Sequence, residues 1–105
     1  MSFKIERGAH ALRDVAAEFV SRESNRMSLI TVTSVVLSSD LSKATVFITV
    51  FPEAAEQEAL DFLKRKKGEL RAYAQDRVKM RRIPLFDFEI DVGEKNRQKI
   101  DTLLR

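Results

Sequence analysis

Two runs dense in β-branched residues, LITVTSVVLSS over residues 29–39 and SKATVFITVF over residues 42–51, follow one another with only SDLS joining them. Nothing else in the chain restricts the fold as much. Val, Ile, Thr and Phe suit a pleated, half-buried surface. A connection this short can join only antiparallel neighbours, because a parallel return takes a dozen residues or more. Ser39 and Asp40 supply the side-chain turn chemistry, so the pair is expected as a β-hairpin. Alternation in the second run puts Val46, Ile48 and Val50 on one face and Phe47 and Phe51 on the other.

The flanking segments read as helices. From about Ile5 to Glu23 the residues Leu12, Val15, Ala16, Phe19 and Val20 trace one amphipathic arc, and a polar stretch with Ser24, Asn25 and Ser28 leads into the hairpin. Pro52 ends the second strand. EAAEQEALDFLKRKK then opens with acids and closes with cations, as a helix macrodipole favours, and buries Ala59, Leu60 and Leu63. Periodicity resumes after Gly68 with Leu70, Tyr73, Ala74 and Val78. It is expected to run to Arg82, where Ile83 precedes Pro84 and is pushed out of the helical region. A glycine inside an unbroken helix costs about 1 kcal/mol relative to Ala. Gly68 is therefore expected to mark a bend, and Gly68→Ala to strain or straighten it.

PLFDFEIDV alternates cleanly, with Phe86, Phe88, Ile90 and Val92 on a buried face and Leu85, Asp87, Glu89 and Asp91 on a wet one. EKNRQKIDTLLR reads as a short closing helix with Ile100, Leu103 and Leu104 apolar. The expected fold is one α+β domain over residues 1–105, with helices packed on a three-stranded sheet.

Composition narrows the function classes. A chain of 105 residues that is 44% hydrophobic and 33% charged can build one modest core. No run reaches the length a membrane span requires, and the N-terminus has no apolar signal core, so a cytoplasmic protein is expected. The absence of cysteine rules out disulfides, thiol nucleophiles and thiolate metal sites. His10 has no second histidine or nucleophile beside it and reads as a helix-surface residue. Glu53, Glu56, Glu58 and Asp61 form a carboxylate cluster that a helix start explains. No catalytic residue, metal, cofactor or small-molecule substrate is expected, and a monomer is.

Charge points the other way. In KRKKGELRAYAQDRVKMRR, residues 64–82, nine of nineteen residues are cations against Glu69 and Asp76, while the rest of the chain holds ten cations and fourteen anions. Advancing 100° per residue from a buried Leu70 turns Arg71, Gln75, Lys79 and Arg82 toward solvent, with Arg65 and Lys66 outward beside the bend. Lys64, Lys67 and Arg81 flank them and complete the expected RNA-binding set. Arg77 falls inside the apolar arc and is expected to snorkel or to pair with a carboxylate. A row of cations grips phosphates by releasing counterions. Phe47 and Phe51 are the only candidates for base stacking and are expected instead to pack under a helix. The alternative reading is a protein-interaction module whose basic helix binds an acidic partner.

Helix, hairpin, two helices at a single glycine and a returning strand resemble the KH family of RNA-binding domains in its type II order. With glycine only at positions 8, 68 and 93, the usual GXXG loop is absent. More specifically, TVTSVVLSSDLSKATVFITV (residues 31–50) is similar to the hairpin of ribosome-binding factor A proteins, with a TVT strand, a Ser-x-Asp-Leu turn and an Ala-x-Val strand. LRAYAQDRVKMRRIPLFDFEID, from Leu70, resembles the family segment in which Leu/Ile-Arg opens a helix and Pro-x-Leu-x-Phe follows, here Pro84-Leu85-Phe86-Asp87-Phe88. KIDTLL sits where that family has its closing helix. The family's Ala-x-Gly kink becomes Lys66-Lys67-Gly68, and its Asp-Pro-Arg before the first strand becomes SNRMS.

The resemblance implies a non-catalytic assembly factor that binds the small ribosomal subunit and its rRNA. It further implies help in late maturation, including rRNA 5′-end processing, and a link to growth in the cold.

Overall fold

The structure, a computed structural model, describes residues 3–24 and 28–104. The order is α1 (Phe3–Glu23), β1 (Leu29–Leu37), β2 (Lys43–Phe51), a 3₁₀ turn (Glu53–Ala55), α2 (Glu56–Arg65), α3 (Lys67–Arg77), β3 (Leu85–Ile90) and α4 (Val92–Leu104). The polar turn expected at Ser24, Asn25 and Ser28 lies partly outside the described residues.

β1 and β2 form the antiparallel hairpin, from Leu29 opposite Phe51 to Leu37 opposite Ala44, with a bulge at Thr33. The turn is held by one carboxylate. Asp40 accepts from the Ser38 hydroxyl at 2.8 Å, the Ser42 hydroxyl at 2.7 Å and the Ser42 amide at 3.1 Å, while Leu41 takes the left-handed conformation with φ 62°. β3 joins the other edge of β2 in parallel, Lys43 opposite Leu85 and Ile48 opposite Ile90. Val46, Ile48 and Phe88 are fully buried from the sheet, with Leu12 and Ala16 of α1, Leu63 of α2, and Leu70 and Ala74 of α3 above them.

Four expectations need correction. α3 ends at Arg77, not near Arg82: Val78 is already extended, its amide closing on the Ala74 carbonyl at 2.8 Å. Propensity over five further residues is worth tenths of a kcal/mol each. Leaving the helix lets Ile83 and Pro84 enter the core, and burying one such aliphatic side chain stabilises by about 2 kcal/mol.

The break between α2 and α3 falls on Lys66 (φ −97°, ψ 5°), not on Gly68. Lys66 closes α2 through its amide to the Leu63 carbonyl at 2.9 Å and opens α3 by accepting from the Leu70 amide at 2.9 Å. Gly68 sits in the first turn of α3 with negative φ and open space where a Cβ would stand. Phe51 is not packed under a helix but 73% exposed, on the wall of an open cleft whose other side is α4. Val92 starts α4 instead of closing β3's buried row, because Asp91 caps the helix: its carboxylate accepts from the Glu94 amide at 3.0 Å.

Both the helix junction and the hairpin turn can be probed by stability. Gly68→Ala should raise stability by about 0.5–1 kcal/mol by restricting the unfolded chain, read as a higher urea midpoint; a lower midpoint contradicts the geometry. Asp40 is held down to about 2 from 3.8 by the Ser42 hydroxyl first, then the Ser42 amide and Ser38. A depressed carboxylate stabilises above its unfolded pKa and loses that contribution as pH falls through the folded one. The urea midpoint should therefore drop between about pH 4 and pH 2 more steeply than in Asp40→Asn.

Candidate nucleic-acid interface

The cations of residues 64–82 divide into three kinds of environment. Along β3, Asp87 sits on the free edge, accepting from the Phe88 amide at 2.9 Å, and gathers Lys64 at 2.9 Å and Lys67 at 3.7 Å. Burial raises the Asp87 pKa, but the bonds from Lys64 and the Phe88 amide with the charges of Lys64 and Lys67 outweigh it and hold the carboxylate ionised below its usual range. Two cations meet one anion there, so the corner keeps net positive charge. Lys66 pairs with Glu69 at 3.1 Å and lies over the Phe62 ring at 5.7 Å.

Arg71 is structural rather than free. It is half-buried and donates from Nε and Nη2 to the Ile83 carbonyl at 3.2 and 3.1 Å. This pins the segment joining α3 to β3, whose Met80 rests against Gly8 and whose Ile83 is buried. Turning Arg71 to solvent, as the helical count required, would leave that carbonyl without its partner.

Lys79, Arg81 and Arg82 stand exposed on the pinned loop and form no ion pair among the described residues. They are not a continuation of a helical row. Arg65 departs from the group: α2 turns it the other way, into a groove with Ile30 of β1, Pro52 and Phe62. Of the eight expected residues, Lys64 and Lys67 meet at Asp87, Lys79, Arg81 and Arg82 lie on the loop that Arg71 pins, Lys66 lies at the helix break and Arg65 on another face.

Arg77 does not face inward. Its guanidinium stacks on the exposed side of Tyr73 at 3.5 Å and lies 3.9 Å from Glu18, which also accepts from the Tyr73 hydroxyl. The expected carboxylate pairing is present on the surface. Arg22 covers the same ring at 5.4 Å, and Tyr73 meets Phe19 edge-on at 5.5 Å.

Two residues that shape this surface, Asp87 and Ile83, and one that sets the start of α4, Asp91, do not stand out by periodicity. Asp87 reads as a solubilising acid from alternation alone. Ile83 contributes through its backbone, to which side-chain patterns are blind. Asp91 begins an Asp-x-x-Glu stretch with Glu94, a helix-start signal visible in the sequence.

A hairpin, a helix pair broken at one residue and a parallel third strand, with no GXXG loop, make this a KH-like domain. A narrower assignment comes from the whole chain. The family model for Ribosome-binding factor A matches residues 4–104, and the chain belongs to that family. It is 42% identical over 81 residues to the ribosome-binding factor A of Brevibacillus brevis, covering 76% of this chain and 67% of that protein.

The crystal structure of ribosome-binding factor A from Thermus thermophilus superposes with a TM-score of 0.75 at 32% identity, over 82% of this chain and 93% of that one. A Thermus thermophilus homology model fitted into the cryo-EM map of a 30S–RbfA complex gives 0.67 at 32%, over 86% and 93%. A Thermotoga maritima protein solved by NMR shares the fold at 20% identity with a TM-score of 0.69, over 85% and 88%.

Arg71→Ala should destabilise the domain by about 1–3 kcal/mol, because a charge-assisted bond to a part-buried carbonyl is lost. Chemical denaturation measures it. Arg81→Ala, on the exposed loop, should fall within about 0.5 kcal/mol of wild type.

Proposed function

We propose that this chain binds the small ribosomal subunit through its rRNA and assists late maturation without covalent chemistry, including processing of the rRNA 5′ end. Membership of the ribosome-binding factor A family carries the reading, supported by a relative at 32% identity fitted to a 30S complex. On this reading the protein works in the cytoplasm, as a monomer, and bears on growth in the cold. No helix among the described residues is long and apolar enough to cross a membrane.

The interface we assign is the band from the α2–α3 corner to the α3–β3 loop. Lys79, Arg81 and Arg82 offer exposed charge to phosphates. Lys64 and Lys67 can exchange a shared carboxylate for a phosphate at little cost, since an exposed ion pair is worth about 0–1 kcal/mol. Lys66 and Arg65 extend the positive field on either side of α2, and Arg71 contributes by holding the loop in place. Affinity would come from backbone phosphates, with sequence-independent contacts and strong salt dependence.

Sedimentation with purified small subunits over a salt series tests this. Arg81→Glu with Arg82→Glu should weaken binding at least about tenfold and flatten the salt slope by about two phosphate equivalents. Undiminished binding by the folded double variant would sink the assignment of the band. Binding to an acidic protein fraction in place of subunits would favour the acidic-partner reading.

A further inference from the structure

α4 is joined to the body by charge rather than by burial. None of its residues is buried, whereas α1, α2 and α3 each place aliphatic side chains in the core. Lys95, Gln98, Lys99, Thr102 and Leu103 form one wall of an open cleft of about 580 Å³, with Leu29, Thr31 and Phe51 of the hairpin on the other. Leu29 and Phe51 are 67% and 73% exposed and Leu103 83%, so apolar contact across the cleft is slight. Ile100 and Leu104 are exposed as well.

Among the described residues, the bonds that side chains of α4 make to the body end on two carboxylates. Lys95 reaches Glu53 at 3.0 Å and Glu56 at 2.8 Å, and Lys99 reaches Glu53 at 3.2 Å. The pairing acts on both partners. Lys95 first, then Lys99, holds the Glu53 carboxyl below its usual range, and Glu56 and Glu53 raise the Lys95 ammonium above its own. The fixed end of α4 is Asp91. Its amide donates to the Ile48 carbonyl at 2.7 Å and one carboxylate oxygen accepts from the Thr33 hydroxyl at 2.6 Å, while the other accepts from the Glu94 amide at 3.0 Å.

A helix of 13 residues is marginal in water by itself. The internal bonds of Glu94 with Arg97 and Gln98 add little to it. With no buried face to order it, α4 keeps its helix only while the Asp91 cap and the Lys95–Glu53–Glu56 cluster hold it. Like the pairs at Asp87, these pairs are weak one by one, and salt screens them.

We propose that α4 is an electrostatically latched order–disorder element: rising ionic strength, or loss of the charge on Lys95 or Glu53, frees it from the body and unwinds it, while the sheet and α1 to α3 stay folded. Asp91 remains with the sheet as the hinge. Release leaves Glu53 and Glu56 without their cations and gives Lys95 and Lys99 to solvent, so one event changes the free charge on both sides of the cleft. The end of the chain thereby answers to its ionic surroundings independently of the core.

Amide hydrogen exchange of the full chain, read residue by residue by NMR, tests this. Between about 0.01 M and about 1 M KCl the screening length falls from about 30 Å to about 3 Å. Over that range the amides of residues 96–104 should exchange at least about fivefold faster, while those of Val46, Ile48 and Phe88 change by less than about twofold. Lys95→Met keeps most of the stem and removes the charge; its α4 should exchange fast already at low salt and respond to added salt by less than about twofold. Glu53→Gln should behave in the same way. Leu103→Ala leaves the pairs in place and should keep the wild-type salt response. Four results overturn the latch: α4 exchange that is constant across the salt series, wild-type protection in both charge variants, a salt-driven loss that reaches the core amides equally, or release by Leu103→Ala and not by Lys95→Met.

Discussion

The parallel pairing of β3 with β2 is the constraint from which the surface follows. Parallel neighbours cannot be joined by a tight turn, so the chain leaves β2 at Phe51 and returns at Leu85 only after α2 and α3 have crossed the sheet. Burial of Val46, Ile48 and Phe88 beneath Leu63 and Leu70 secures that crossover. The cationic segment of residues 64–82 is the second half of this connection. Its position between α2 and β3 is therefore set by topology, and Lys64 and Lys67 reach Asp87 of β3 from where the crossover turns back.

Within that segment the fold separates cations by the environment of the atoms they meet. Arg71 satisfies a carbonyl in a part-buried loop, where an unmade bond costs about 1–3 kcal/mol. Lys64 and Lys67 meet Asp87 at a site open to water, where screening leaves about 1 kcal/mol or less. The first bond shapes the surface, and the second kind stays available for exchange. Asp87 also occupies the Phe88 amide, protecting an edge strand from pairing with another chain.

α4 is attached by a different kind of interaction from the rest. α1, α2 and α3 each bury aliphatic side chains against the sheet, whereas α4 buries none and is held by a cap and ion pairs. Such an element sits at the low-stability end of a fold, with few apolar contacts and an exposed ladder. Asp91 ties it to both strands, since its amide donates to the Ile48 carbonyl at 2.7 Å and its carboxylate accepts from Thr33 of the bulge. The bulge in β1 thus aims the hydroxyl that positions the last helix.

The hairpin, the buried faces of α1, α2 and the first half of α3, and the alternation of β3 were legible in the sequence, because each depends on periodicity among neighbours in the chain. So was family membership, through the TVT strand, the Asp40 turn and the proline before β3. The end of α3 at Arg77, the break at Lys66, the partner of Arg71 and the rotation of α4 were not. The break at Lys66 closes on Leu63 and Leu70 nearby, but the others rest on pairs distant in sequence: Arg71 with Ile83, Lys95 with Glu53, and Thr33 with Asp91, 58 residues apart. Local pattern determined which residues are helix, strand and core. Only the tertiary structure decided which cations are engaged inside the molecule and which face outward, because that depends on where a distant carbonyl or carboxylate comes to lie.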